Sequence, residues 1–93
     1  MKIINALELK TMTISQIASL IFTDWRANSK SGINYAAKPY LEAMLDLQSI
    51  DDMYVADTGR TIVNYFLSNA GAYRGVQAKL IRIELRNRLA IKK

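Results

Sequence analysis

The sequence predicts an all-α fold: a compact bundle of four helices, with a short fifth helix or an extended arm at the N-terminus. Apolar residues recur at helical spacing in four separate stretches. One Pro and four Gly leave little room for long loops, and 51% of the residues are hydrophobic, as is typical of globular proteins. At 93 residues the chain is expected to form a single domain, with residues 12–93 as the helical core and residues 1–11 as the arm.

The N-terminal arm has no clear periodicity. Its apolar residues fit neither the helical nor the strand spacing; they are Ile3, Ile4, Leu7 and Leu9. A short helix and an extended segment that covers the core therefore both remain open.

The first clear helix is predicted at residues 14–27. Thr13 and Gln16 have the spacing of a capping box, in which each side chain accepts from the backbone N–H of the other residue. Ile21 and Trp25 fall on the same apolar face. This face is therefore expected to line the core.

Two further helices are predicted at residues 39–48 and 58–70. Pro39 suits a first turn, where its missing N–H would have no helical partner. Asp57 is the expected N-cap of the second of these helices, and Gly71 the left-handed residue that ends it. The centre of the core is predicted to comprise Ile21, Trp25, Met44, Ile62, Phe66, Ile81 and Leu85.

The last predicted helix, residues 75–91, is apolar on two sides, and Gly75 is expected to let it begin close to the preceding backbone. One stripe comprises Ala78, Ile81, Leu85 and Leu89, and the other comprises Val76, Leu80, Ile83 and Ile91. A helix with two apolar faces is usually buried between two layers. The second stripe is therefore expected to be covered, either by the N-terminal arm, which is favoured, or by a homodimer contact through Leu80 and Ile83.

Basic residues are concentrated after residue 70. In a chain of net charge +5, seven basic residues and one acidic residue lie there. The candidate binding residues are Tyr73, Arg74, Lys79, Arg82 and Arg86. Interleaved aromatic and basic groups can stack bases and neutralise phosphates, or anchor an acidic protein surface. The alternative is that the tyrosine packs across the helical corner and the arginines only face solvent.

Asp57-Thr58-Gly59 matches the Asp-Thr-Gly of aspartic proteases. That chemistry needs two carboxylates on β-loops sharing a proton, whereas the surrounding pattern is helical. A helix N-cap explains the aspartate better. The neighbouring Asp46, Asp51 and Asp52 lack the spacing of an EF-hand, so no metal site is predicted.

Several functional classes have no support in the sequence. The chain has no His and no Cys, which removes the commonest catalytic base, metal ligand and thiol nucleophile. It has no phosphate-binding glycine loop and no other cofactor motif. No apolar run has the length needed to cross a membrane. We therefore expect a cytoplasmic protein that is not an enzyme and holds no cofactor.

Two stretches, "NYAAKPYLEAML" and "DTGRTIVNYFLSNAGAYRG", resemble those of short uncharacterised proteins of tailed phages and prophages. The resemblance runs from about residue 13 to residue 89 and implies an origin in a mobile element. By analogy with phage proteins of this size, we expect a binding protein that occupies a protein or nucleoprotein partner, such as a host enzyme or a CRISPR effector. The alternative is an accessory nucleic-acid-binding protein that uses its basic C-terminal helix.

Overall fold

A computed structural model describes residues 5–90 of the chain, and it confirms the all-α class. Its elements are α1 (Ala6–Lys10), α2 (Ile14–Asn28), α3 (Lys38–Met44), β1 (Met53–Tyr54), β2 (Asp57–Thr58), α4 (Gly59–Asn69) and α5 (Val76–Ala90). Within this described part, no helix combines the length and the apolar character needed to cross a membrane. The predictions made for Ile3, Ile4 and Ile91 lie outside the described residues.

The N-terminal arm contains a short helix. Asn5 caps α1 by accepting the backbone N–H of Glu8 at 2.9 Å. Leu9 is fully buried, whereas Leu7 is exposed. Arg88 fastens the helix to α5 by donating to the carbonyl oxygen of Leu9 at 2.8 Å. The short-helix alternative is therefore the correct one for this segment.

The start of α2 is held in two ways. The predicted capping box is confirmed: Gln16 N–H donates to the hydroxyl of Thr13 at 3.0 Å, and Thr13 N–H donates to the amide oxygen of Gln16 at 2.8 Å. In addition, the N–H of Ser15 donates to the carbonyl of Leu47 at 2.7 Å. The amides that a helix start leaves unpaired are thus used to join α2 to the segment after α3.

The second predicted helix is shorter than its apolar pattern suggests. α3 ends at Met44, and the chain continues in turns. The carboxylate of Asp52 holds this connection by accepting from the N–H groups of Gln48 and Ser49, at 2.8 and 3.2 Å. Leu47 remains buried although it lies beyond the helix. The apolar period continues past Met44 because the turn keeps Leu47 on the core side.

The Asp-Thr-Gly motif forms the junction between a small hairpin and α4. The prediction that Asp57 is the N-cap of α4 is wrong. Asp57 instead pairs with Tyr54 in the antiparallel hairpin. Thr58 is the cap, and its hydroxyl accepts from Thr61 N–H at 3.2 Å. A Cβ atom on Gly59 would lie 2.8 Å from the backbone oxygen of Ile50. All three residues of the motif thus have structural roles.

Two glycines of the corner between α4 and α5 act differently from prediction. Gly71 is not left-handed, and Ala70 provides the C-cap of α4 with a φ of −103°. Gly75 does have a positive φ, 118°, but a Cβ atom there would meet nothing within 4 Å. Gly75 is therefore required by its backbone conformation and not by a close approach of two backbones.

One continuous core joins the helices. α2 packs against α3 and α5, α4 packs against the same two helices, and α1 packs against α5. All seven residues predicted for its centre are buried. The favoured alternative for the second stripe of α5 is wrong, because the described part of the N-terminal arm does not cover it: Leu80 is only partly buried, and Ile83 and Val76 remain 47% and 66% exposed. The homodimer contact through Leu80 and Ile83 stays a prediction. α1 lies against α5 but leaves these side chains uncovered.

Candidate binding surface

Tyr73 belongs to the core and not to a surface. Its side chain is 1% exposed, its ring stacks on Trp25 with centroids 5.1 Å apart, and its hydroxyl donates to the carboxylate of Asp24 at 2.6 Å. The other carboxylate oxygen of Asp24 accepts from the amide of Asn28 at 2.9 Å. The ring of Tyr73 is therefore not presented to a partner, and the packing alternative describes it.

The environment of Tyr73 favours its neutral form. Burial raises the pKa of the phenol, and the hydrogen bond to Asp24 and the negative charge of that carboxylate raise it further. Arg82 opposes the rise in pKa to a smaller extent. The phenol therefore acts as a fixed hydrogen-bond donor between the corner and α2.

Arg82 is also occupied within the chain. Its guanidinium donates to the carbonyl oxygen of Ala70 at 2.6 Å and to that of Tyr73. It also lies over the Tyr73 ring, 5.9 Å from the centroid. These contacts tie α5 to the backbone of the corner that joins it to α4. Arg82, one of the candidate binding residues, thus has a structural role within the chain.

Three of the five candidate residues remain at the surface: Arg74, Lys79 and Arg86 are all exposed. Arg74 lies in the corner that precedes α5. Lys79 and Arg86 are seven residues apart on α5, so they lie two turns apart on one side of the helix. The structure thus separates two residues that hold the corner from three that are open to a partner.

The outer face of α5 combines these cations with apolar side chains. We define it as the exposed residues Val76, Lys79, Ile83, Arg86 and Asn87. On the opposite side of the helix, Ile81 and Leu85 are buried in the core. No described part of the chain covers the two apolar side chains of the outer face, which alternate along the helix with the two cations.

A shallow groove of about 550 Å³ runs between α4 and α5 beside this face. Its lining residues are Asn64, Leu67, Ser68, Arg86, Leu89 and Ala90. The hydroxyl of Ser68 is directed to the carbonyl of Asn64 at 3.0 Å. Arg86 belongs to both the groove and the outer face, so it can reach a ligand group on either side.

The hairpin carries exposed apolar residues that the periodicity of the sequence does not predict. Met53 and Val55 are 60% and 89% exposed. The only signal in the sequence is the presence of two large apolar residues in a segment otherwise rich in aspartate. Among the described residues, His, Cys, Asp and Glu form no group of three or more that could hold a metal ion.

Neither a family model, nor a curated protein, nor a solved structure matches the chain.

Proposed function

We propose that the chain is a small, cytoplasmic, non-enzymatic binding protein that acts by occupying a protein or nucleoprotein partner. The observation that carries the proposal is the outer face of α5, where the exposed apolar side chains of Val76 and Ile83 alternate with the cations Lys79 and Arg86. Apolar side chains supply binding free energy when a partner removes them from water, and the flanking cations select an acidic partner. The resemblance to phage proteins makes a host enzyme or defence complex the first partner class to test.

The matched test compares two charge-reversed variants of equal net charge as baits in a host lysate. Lys79→Glu with Arg86→Glu reverses the cations of the outer face, whereas Lys30→Glu with Lys38→Glu reverses two exposed cations outside α5. We expect the first variant to lose the partner and the second to retain it. If both variants lose the partner equally, net charge and not the outer face governs capture, and the proposal fails.

Nucleic acid is the second candidate partner, because Arg74, Lys79 and Arg86 are all exposed. Purified protein mixed with duplex and single-stranded DNA distinguishes the candidates, since only this alternative requires binding without another protein. In that case the logarithm of the affinity for duplex should fall linearly with the logarithm of salt concentration, with a slope of roughly −0.9 per neutralised phosphate.

A further inference from the structure

The hairpin exposes an apolar tip that the fold itself does not use. Met53 and Val55 belong to the exposed hydrophobic residues, and Ala56 and Asp57 beside them are exposed as well. We call Met53, Val55, Ala56 and Asp57 the hairpin surface. None of the three apolar members belongs to the core or to the residues packed against it. These side chains therefore add little apolar burial to the single chain.

Val55 also has an unfavourable backbone conformation. Its φ is 55°, in the left-handed region, which is a genuine outlier for a β-branched residue. Glycine would suit this turn position better, because it adopts positive φ without a steric penalty. A strained, exposed valine is thus poorly explained by folding alone, and strain of this kind is often found at sites of contact with other molecules.

The hairpin surface and the outer face of α5 are complementary to each other. Both expose two large apolar side chains, Met53 and Val55 on the hairpin surface and Val76 and Ile83 on the outer face. Asp57 gives the hairpin surface a negative charge, whereas Lys79 gives the outer face a positive one. Within one chain both surfaces remain exposed, so they do not cover each other.

We propose that the hairpin surface of one copy docks on the α5 outer face of a second copy. The inference uses the face assigned above, but it does not depend on a host partner. Because the two contacting surfaces differ, the copies associate head-to-tail. However many copies have joined, one hairpin surface and one outer face remain uncovered at the two ends of the assembly. A tip of this size gives a small, weak interface that forms only at high protein concentration.

Sedimentation velocity on purified protein tests this with two variants. The hairpin variant, Met53→Ser with Val55→Gly, keeps an intact outer face. The face variant, Lys79→Glu with Ile83→Ser, keeps an intact hairpin. Between about 10 μM and 1 mM we expect the mass of the wild-type protein to rise with concentration, and less steeply at high salt. Each variant alone should remain a monomer.

The decisive sample is an equimolar mixture of the two variants. Since each retains one complementary surface, the mixture should form a 1:1 heterodimer and nothing larger. Circular dichroism should match the wild-type protein for both variants, because all four positions are exposed. The melting temperature should be near the wild-type value for the face variant and no lower than it for the hairpin variant, since glycine relieves the positive φ of Val55. If the mixture forms no heterodimer, the result expected from the lysate experiment is unaffected, since that experiment depends on the outer face alone.

Three outcomes would overturn the inference. The wild-type protein could stay monomeric at every concentration. The hairpin variant could still self-associate while the face variant does not, which would indicate a symmetric contact between two α5 helices. Finally, both variants could be monomeric without any heterodimer in the mixture, which would mean that the two surfaces do not bind each other.

Discussion

At the scale of single residues, the arginines of α5 differ in role although they share one helix. The Arg82 and Arg88 guanidiniums donate to backbone carbonyls of distant segments, whereas Arg86 is exposed. An arginine in the first role supports the fold, and an arginine in the second is available for binding. The distinction is invisible in the sequence, because all three occur in the same basic stretch.

Arg82→Ala should lower the free energy of unfolding by about 1.5–3 kcal/mol, since hydrogen bonds from a charged donor contribute about this much. The matched substitution Arg86→Ala should change it by less than about 0.5 kcal/mol, as is usual for exposed positions. Urea unfolding of both variants measures the difference. Equal stabilities for the two variants would show that the contacts of Arg82 with the corner carbonyls do not stabilise the fold.

The sequence predicted the candidate cations but could not separate them. Helical spacing places Lys79, Arg82 and Arg86 on one flank of α5, and that placement is correct. Whether a guanidinium lies against a carbonyl depends on where the preceding corner ends, which is a tertiary property. Tyr73 illustrates the same limit, because only the fold brings its hydroxyl to Asp24 at 2.6 Å, across 49 residues of chain.

At the scale of elements, close packing decides where glycine is required. α4 begins against the backbone of Ile50, and Gly59 leaves space for it. Gly59→Ala should therefore destabilise the protein by about 1–3 kcal/mol, the usual cost of overpacking. Gly71→Ala is the matched control, because a Cβ atom there meets nothing within 4 Å.

We expect Gly71→Ala to leave the melting temperature unchanged or to raise it slightly, because alanine restricts the unfolded chain more than glycine does. Thermal melting of both variants gives the comparison. If the melting temperature of Gly59→Ala equals or exceeds that of Gly71→Ala, the close approach of α4 to Ile50 is contradicted.

Element existence was easier to predict than element boundaries. The capping box at Thr13 and Gln16 identified the start of α2, because that signal is local. The hairpin at Met53–Tyr54 and Asp57–Thr58 was missed, since two-residue strands are too short to show an alternating pattern. Because Asp57 belongs to this hairpin, the N-cap of α4 is Thr58 and not the predicted Asp57.

At the scale of the whole molecule, the buried pair of Tyr73 and Asp24 makes the free energy of unfolding depend on pH in the alkaline range. Burial and Asp24 raise the pKa of Tyr73 above the ordinary value of about 10. The stabilisation from neutral Tyr73 is therefore fully present below pH 10 and is lost as pH rises from there toward the folded-state pKa. The predicted loss is about 1.4 kcal/mol per pH unit above pH 10.

Tyr73→Phe provides the test, because phenylalanine keeps the ring and cannot ionise. At neutral pH the variant should be less stable by about 1–3 kcal/mol, since the buried carboxylate of Asp24 loses a donor. Between pH 8 and 11 its melting temperature should fall less steeply than that of the wild-type protein. Parallel pH profiles would mean that Tyr73 ionises no differently in the folded and unfolded states.

The hydrogen bond from Arg88 to Leu9 joins positions 79 residues apart, near the two ends of the described chain. Bringing such distant segments together costs loop-closure entropy before the contact returns any free energy. We therefore expect this contact to form after the main folding barrier, in which case weakening it should leave the folding rate almost unchanged and accelerate unfolding. On this expectation, the contact between α1 and α5 prolongs the lifetime of the native state without speeding its formation.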